Sequence, residues 1–448
     1  MARLFGTDGI RGVFGEDLTE ELAKKVGAAL ARVLGRGSDT KVLIGMDTRE
    51  SSEALSNAVA EGVCSIGGEA AIIGVCSTPA VAYLVKRHSF DAGIMISASH
   101  NPAKYNGIKI FGSDGFKLSD AHEDRIEALM DDPYEVCSGR KYSFANGIDE
   151  YVEYLRSSFG VSLKGLKIGV DCANGSASVS AERLLSSLGA ECVMRGNTPD
   201  GRNINLDCGS THLDGLKQLV TERKLDLGIA FDGDADRCLA IDREGNEIDG
   251  DFIMAIIGLW LKEKGELRDN TIVGTVMSNL GFIKFCEANG LNFVSTKVGD
   301  RYVLEMMNER GYDFGGEQSG HLILGRLATT GDGQLTAVAL LSCIKERGKS
   351  LSALASVMKK YPQFMINVSA NAAEKEIFKE DKEISELINE ASLSMANRGR
   401  VLVRPSGTEP LVRIMTEAED GELAEGVCLR LAKNIRNRLD LLNKSVRK

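Results

Sequence analysis

Apolar and polar positions along the first three quarters of the chain follow a strand–helix rhythm. Leu22, Val26, Leu30 and Val33 recur at helical spacing behind Asp17-Leu18-Thr19-Glu20, where a cap residue is followed three positions on by Glu, and Gly35 supplies a stop. Val42-Leu43-Ile44-Gly45-Met46 is an apolar run of strand length, and a second helix follows with Leu55, Val59 and Val63 on one face. This succession predicts βαβ units on a largely parallel sheet. The rhythm then repeats on a larger scale. Residues 41–47, 166–171 and 271–276 each open a block that later reaches a strand running into small and polar residues. Those strands are 93–96 into Ser97-Ala98-Ser99-His100, 227–231 into Asp232, and 312–314 into Gly315-Gly316-Glu317. Three similar α/β units are predicted, each with a loop at a strand's carboxyl end, where such sheets bind ligands.

The last stretch has a different pattern. A strand at 364–368, a charged helix at 373–396 and strands at 400–403 and 411–415 precede a basic final helix. The run from Glu374 to Glu383 reads as a solvated helix face. Tyr361-Pro362-Gln363 is the hinge candidate before this smaller α+β domain.

Composition narrows the class. At ~150 residues per domain, 448 residues hold about three units, give or take one. Lys plus Arg total 54 against 64 Asp plus Glu, a net charge of −10, which argues against coating nucleic acid or a membrane surface. An anionic substrate therefore needs locally concentrated positive charge. No apolar run approaches a membrane span, no export signal is visible at the start, and ten cysteines occur without any Cys-x-x-Cys pair. The expectation is a cytoplasmic, multidomain enzyme without a disulfide scaffold or zinc ribbon.

Four segments carry candidate chemistry. In Asp232-Gly233-Asp234-Ala235-Asp236-Arg237, three carboxylates separated by Gly and Ala can converge on one point. Like charges ~4 Å apart repel by about 1 kcal/mol in water and several times that near a protein surface, which a hard divalent cation relieves. An acidic surface turn is the bland alternative. An EF-hand is excluded, because Arg237 and Arg243 stand where its Gly and Glu belong. Ser99, in Ser97-Ala98-Ser99-His100-Asn101-Pro102, sits on a strand-to-loop turn that can expose its hydroxyl for covalent chemistry, unless these residues only form turn hydrogen bonds and His100 braces the loop. The segment lacks the Gly-x-Ser-x-Gly elbow of acyl hydrolases. Lys109 follows an Asn106-Gly107 turn expected to fold it back toward Ser99. Arg404-Pro405-Ser406-Gly407-Thr408-Glu409-Pro410, with Arg413, offers guanidinium, hydroxyl and backbone N–H groups suited to a phosphate dianion, with a plain hairpin as the alternative. Gly315-Gly316-Glu317-Gln318-Ser319-Gly320-His321 suits a polyhydroxylated ligand, although His321 alone is equally a structural histidine. Arg11, Lys297 and Arg301 are further cationic candidates.

These motifs, in this order from Ser97 to Pro410, resemble the α-D-phosphohexomutases. Phe5-Gly6-Thr7-Asp8-Gly9-Ile10-Arg11-Gly12, the Gln in Gly-Glu-Gln-Ser-Gly-His and Thr329-Thr330-Gly331-Asp332-Gly333 resemble the bacterial branch acting on glucosamine phosphates. The resemblance implies three α/β domains with mixed, largely parallel sheets (1–152, 153–252, 253–362) and a C-terminal α+β domain (363–448) around a central cleft. It implies that Ser99 carries the phosphoryl group. One Mg²⁺ would be held by Asp232, Asp234, Asp236 and the phosphoserine, and a hexosamine 1,6-bisphosphate would be the intermediate. Lys109 fits the family's general acid/base, with His100 beside it. Glu317, Ser319 and His321 would grip the sugar. Arg404, Ser406, Gly407, Thr408 and Arg413 would clamp the distant phosphate, with Arg11, Arg237 and Lys297 adding charge. The branch more often has Gly in place of Ala235, a departure expected to matter little. The partner is a small sugar phosphate, with no nucleic acid and no membrane; a homodimer is compatible. Competing readings are a glucose or mannose phosphate mutase, a Mg²⁺-dependent sugar-phosphate phosphatase, and a non-catalytic sugar-phosphate sensor.

Overall fold

The computed structural model describes residues 3–6, 8–35, 39–396, 398–406 and 409–446. Residues 1–277 with 289–357 form one compact unit, and residues 278–288 with 358–448 form a second.

Three sheets build the first unit. The first contains β1 (Ile10–Val13), β2 (Lys41–Met46), β3 (Glu69–Val75), β4 (Ala92–Ile96), β5 (Tyr105–Gly112) and β6 (Arg140–Ser143), in the order β1-β5-β4-β2-β3-β6. The second contains β7 (Lys167–Asp171), β8 (Glu191–Arg195), β9 (Leu227–Phe231), β10 (Cys238–Asp242) and β11 (Glu247–Ile248), in the order β11-β10-β9-β7-β8. The third contains β12 (Thr271–Thr275), β13 (Asn292–Thr296), β14 (Phe314–Gly316) and β15 (Leu322–Leu324), in the order β13-β12-β14-β15. One kernel underlies all three: β3-β2-β4-β5, β8-β7-β9-β10 and β13-β12-β14-β15 share an order, three parallel strands closed by an antiparallel fourth. The predicted three similar α/β units are present, and the loop before each antiparallel strand carries a candidate motif.

Local chemistry accounts for the elements. Helix Glu20–Leu34 is capped by Thr19, whose Oγ1 accepts from Leu22 N (3.1 Å), and ends at Gly35 with φ +69°. The cap is therefore not Asp17, whose carboxylate accepts instead from Val13 N (3.3 Å). Leu55, Val59 and Val63 of helix Ser52–Ser65 are fully buried, each contributing about 1.5–3 kcal/mol of transfer free energy. The strand expected at 312–314 starts two residues later, at Phe314, so Glu317 leaves it one residue past its end.

The second unit holds an antiparallel sheet of β16 (Gln363–Ser369), β17 (Gly399–Pro405) and β18 (Leu411–Ala418), ordered β16-β18-β17. The single helix predicted over 373–396 is two, Ala372–Glu380 and Lys382–Ser394. Asp381 is extended (ψ 120°) and accepts from Ile384 N (2.9 Å), so a strong N-cap restarts the helix in the middle of a continuous polar pattern. Residues 278–288 join this unit through Asn279 Nδ2, which donates to Tyr361 O (3.0 Å) and Glu417 Oε1 (3.2 Å). All ten cysteines are free thiols, and among the described residues no helix is long and apolar enough to cross a membrane.

Candidate active site

Ser99 lies just beyond β4, and its φ of +51° is unusual for a side-chain-bearing residue. Its surroundings hold it there. Ser99 N donates to Ser97 Oγ (2.9 Å), and Ser97 Oγ donates to Asp47 Oδ2 (2.7 Å). Ser99 O accepts from Arg49 Nη2 (3.0 Å) and Asn205 Nδ2 (2.9 Å). The Ser99 hydroxyl donates to Asp232 Oδ2 at 2.6 Å and lies 3.4 Å from His100 Nδ1. Serine loop and aspartate loop can abut because residue 233 is Gly; a Cβ there would fall 2.5 Å from Ser99 O.

Asp232, Asp234 and Asp236 present one oxygen each within 4.8 Å of one another, all buried. Burial first, then Asp236 and Asp234, push the Asp232 carboxyl far above the usual carboxylate range. Lys109 answers this charge. Its Nζ lies 2.8 Å from Asp234 Oδ2, 3.6 Å from Asp236 Oδ2 and 3.2 Å from Asp8 Oδ2. Burial alone would lower the lysine, but Asp234, Asp8 and Asp236 outweigh it and hold it as an ammonium. Lys109 does not arrive by a turn: Asn106 and Gly107 are strand residues of β5, and Lys109 sits opposite Met95 of β4. Hairpin register, rather than Asn-Gly chemistry, brings it to Asp234 and Asp236 of the aspartate loop.

A cation fits the aspartate loop. Asp234 Oδ1 and Asp236 Oδ1 are buried with no hydrogen-bond partner, the condition a hard divalent ion at oxygen ligands relieves. Arg237 Nε, also unbonded, stands 3.9 Å from both Asp232 Oδ2 and Asp236 Oδ1. His100 is pushed down to about 4 by burial, Arg237 and Arg11, and so is neutral beside Ser99. Ala235, fully buried within the loop, has φ +55°, a conformation glycine adopts more readily.

The third loop, between β14 and β15, is held from outside by Gly250 N–H, at the start of helix Gly250–Glu263, donating to Gln318 O (3.0 Å). Glu317 Oε1 accepts from Gly299 N (3.1 Å), and Ser319 Oγ is buried without a partner. His321 accepts at Nε2 from Gly331 N (3.1 Å), which turns Nδ1 toward Asp236 Oδ2 (3.5 Å). Arg11, on β1, pairs with Asp8. Lys297 is exposed, with Nζ 5.7 Å from the Tyr302 ring centroid, and Arg301 pairs with Asp120 (2.6 Å) and Glu305 (3.0 Å). Neither pairs with Asp232, Asp234 or Asp236.

In the second unit, Arg404 of β17 stands directly across from Arg413 of β18. Burial and Arg413 lower the Arg404 guanidinium, and Arg413 Nε is buried without a hydrogen-bond partner, while its Nη2 pairs with Glu409. Ser406 Oγ accepts from Glu409 N (3.1 Å). Gly407 and Thr408 lie outside the described residues.

Sequence reasoning missed the residues that support these loops. Arg49, ion-paired with fully buried Asp47 (2.8 Å), donates to the carbonyls of Ser99, Asn101, Pro102 and Tyr105. Asp8, Lys117 and Asp300 extend the Lys109 pair, with Lys117 Nζ 2.5 Å from both Asp8 Oδ1 and Asp300 Oδ2. The available signal was Asp47-Thr48-Arg49 at a strand's carboxyl end.

Comparison with known proteins agrees with this architecture. Profiles of the phosphoglucomutase/phosphomannomutase family match in chain order: alpha/beta/alpha domain I at 2–136, domain II at 149–245, domain III at 249–361 and the C-terminal domain at 365–434. The chain belongs to this family and is a mutase of the isomerase class. Among its relatives, proteins named phosphoglucosamine mutase from Clostridium novyi and Acetivibrio thermocellus are each 50% identical, over 97% and 98% of this chain and 99% and 100% of theirs. A Burkholderia thailandensis phosphoglucomutase/phosphomannomutase family protein shares the fold at TM-score 0.83 and 24% identity, over 96% of this chain and 98% of that one. An Aspergillus fumigatus N-acetylphosphoglucosamine mutase does so at TM-score 0.68 and 18% identity, over 97% and 95%.

Proposed function

We propose that this mutase interconverts glucosamine 6-phosphate and glucosamine 1-phosphate in the cytoplasm, feeding UDP-N-acetylglucosamine synthesis. The carrying observation is the Ser99 hydroxyl held 2.6 Å from one of three convergent buried carboxylates. The sugar specificity rests on the relatives named above, and the solved Aspergillus fumigatus enzyme is itself in complex with GlcNAc-6P and magnesium.

Phosphorylated Ser99 donates its phosphoryl group to the free hydroxyl of the substrate. The resulting hexosamine 1,6-bisphosphate turns over and returns its other phosphate to Ser99. Asp232, Asp234 and Asp236, with an oxygen of the phosphorylated serine, would hold one Mg²⁺, which when bound neutralises charge on the transferring group. The chain's own contribution is mainly positioning. Arg49 and Asn205 fix the Ser99 carbonyl and so the direction of its Oγ. Lys109 balances the aspartates and is the acid/base candidate on its proton-donating side, whereas neutral His100 Nδ1, 3.4 Å from Ser99 Oγ, is placed to accept a proton. Glu317, the orphan hydroxyl of Ser319 and His321 serve the sugar. Arg404, Ser406, Gly407, Thr408 and Arg413 bind the phosphate that does not react, and Arg11, Arg237 and Lys297 add positive charge along the way. The domain bounds 1–152, 153–252, 253–362 and 363–448 assign one motif to each domain.

Two measurements on freshly isolated protein test this reading. Peptide mapping should find phosphate on Ser99, and turnover should be faster with glucosamine phosphate than with glucose or mannose phosphate. Release of free phosphate without isomerised sugar, or preference for either other sugar, defeats it.

A further inference from the structure

A cavity of ≈ 330 Å³ opens between helix Thr78–Arg87, helix Gly147–Ser157 and the loop 325–332, and no residue of the aspartate triplet or serine loop lines it. That volume is at the lower end of ligand pockets, which run about 300–1,000 Å³. One wall is apolar: Ala82, Leu327 and the rings of Tyr83 and Tyr154, stacked with centroids 4.2 Å apart and planes 17° from parallel. Lys86, Arg87 and Arg326 stand at the rim. Arg326 is neutralised by Asp313 (3.1 Å). Among the described residues no carboxylate lies within ion-pair distance of Lys86 or Arg87, although both are in the last turn of their helix. The lining carboxylate, Asp332, is already held by Leu335 N (2.9 Å) and Tyr151 OH (2.7 Å), so the apolar wall beside two cations without a carboxylate partner is complementary to an organic anion with a planar ring.

The same walls end on the candidate metal loop. Thr78, at the start of its helix, donates Oγ1 to Asp234 Oδ2 (2.6 Å) and its N–H to Asp234 O (3.0 Å). The loop 325–332 runs into Gly333, whose N–H donates to Ala235 O (3.0 Å), while Gly331 N–H holds His321. Tyr154 ties the walls together by donating its hydroxyl to Leu327 O. A ligand touching both walls therefore bears on the backbone of two adjacent residues of the aspartate loop.

We propose that this cavity is a second ligand site that takes a nucleotide, with the base against the Tyr83–Leu327 wall and the phosphate on Lys86 and Arg87, and that its occupation changes turnover through Asp234 and Ala235. The effect on turnover rests on the function proposed above; binding does not, so the two fail separately. The test is calorimetric titration of the full-length protein with adenosine and uridine 5′-monophosphates, repeated with inorganic phosphate, with the nucleosides, and at saturating sugar phosphate. Saturable nucleotide binding that persists with sugar phosphate present is expected. It should weaken about tenfold in a K86Q/R87Q double variant whose turnover without nucleotide is unchanged. It should vanish in Ala328→Trp, which fills the cavity from the loop. The proposal is overturned by no saturable binding up to roughly 1 mM, by equal binding in K86Q/R87Q, or by inorganic phosphate binding as tightly as the nucleotides. Binding with no change in turnover overturns the coupling.

Discussion

The two units each contain a cluster of like charges, and they treat it in opposite ways. In the first, three buried carboxylates are offset from inside the protein. Lys109 is shared between Asp234 and Asp236, Lys117 continues the alternation through Asp8 to Asp300, and only two aspartate oxygens stay unbonded. In the second, two guanidiniums face each other across β17 and β18 with Glu409 as the nearby counter-charge. Like charges directly opposite in a sheet are destabilising, a cost that the phosphate of the proposed function would offset on binding. On the function proposed above, the contrast separates a permanent, pre-organised reaction centre from a reversible phosphate grip. Permanence needs internal counter-ions for the whole cluster, whereas in the second unit Glu409 pairs with Arg413 and, among the described residues, no carboxylate pairs with Arg404.

The sharpest way to break that comparison is at Ser99. Ser99→Ala should lower turnover at least about 10³-fold with circular dichroism unchanged, because a covalent carrier has no substitute. Near-normal turnover would remove the reaction centre from this unit altogether. Arg49→Met should follow in size. It leaves Asp47 as an unpaired buried charge and four loop carbonyls without their donor, costing about 3–5 kcal/mol in urea unfolding. A loss below about 1 kcal/mol would show that the serine loop is held by other groups. In the second unit the balance reverses. Arg404→Gln should raise KM for the sugar phosphate roughly 10–100-fold with a smaller change in kcat. Because it relieves a cross-strand repulsion, it should leave thermal stability unchanged or slightly higher; a marked stability loss would make the pair structural.

Two smaller effects refine the picture of the first unit. Burial pushes the Asp332 carboxyl up to about 6, although its bonds from Leu335 N (2.9 Å) and Tyr151 OH (2.7 Å) favour the charged form. The folded state therefore holds this proton more tightly than the unfolded chain. The associated stabilisation is complete below the ordinary aspartate range and is lost as pH rises through about 6, on the order of 3 kcal/mol in all. Asp332→Asn should flatten stability between pH 4 and about 6, and an unchanged profile would assign the slope to another group. Smallest is Ala235→Gly. It relieves a left-handed alanine but adds backbone entropy to the unfolded chain, for a net gain of about 0.5–1 kcal/mol in unfolding free energy. A net loss would mean that packing of the alanine methyl outweighs its backbone strain.

What could be read from the residues alone was whatever is local. The period of apolar positions placed the strands that open each block, Gly35 marked a helix stop, and the Asp-x-Asp-x-Asp spacing announced a carboxylate cluster before any coordinates. These features depend on neighbours within a few positions, so they are written contiguously. Helix breakage at Asp381 was hidden for the complementary reason, since a cap inside a polar helix leaves the hydrophobic period intact. Tertiary structure decided the remainder. Strand order placed Lys109 opposite Met95, and Arg49 reached four carbonyls fifty or more residues downstream. The Asp8–Lys117–Asp300 chain joined segments nearly two hundred residues apart. Such partners are chosen by the geometry of packed sheets, and no spacing along the chain records which buried charge will meet which.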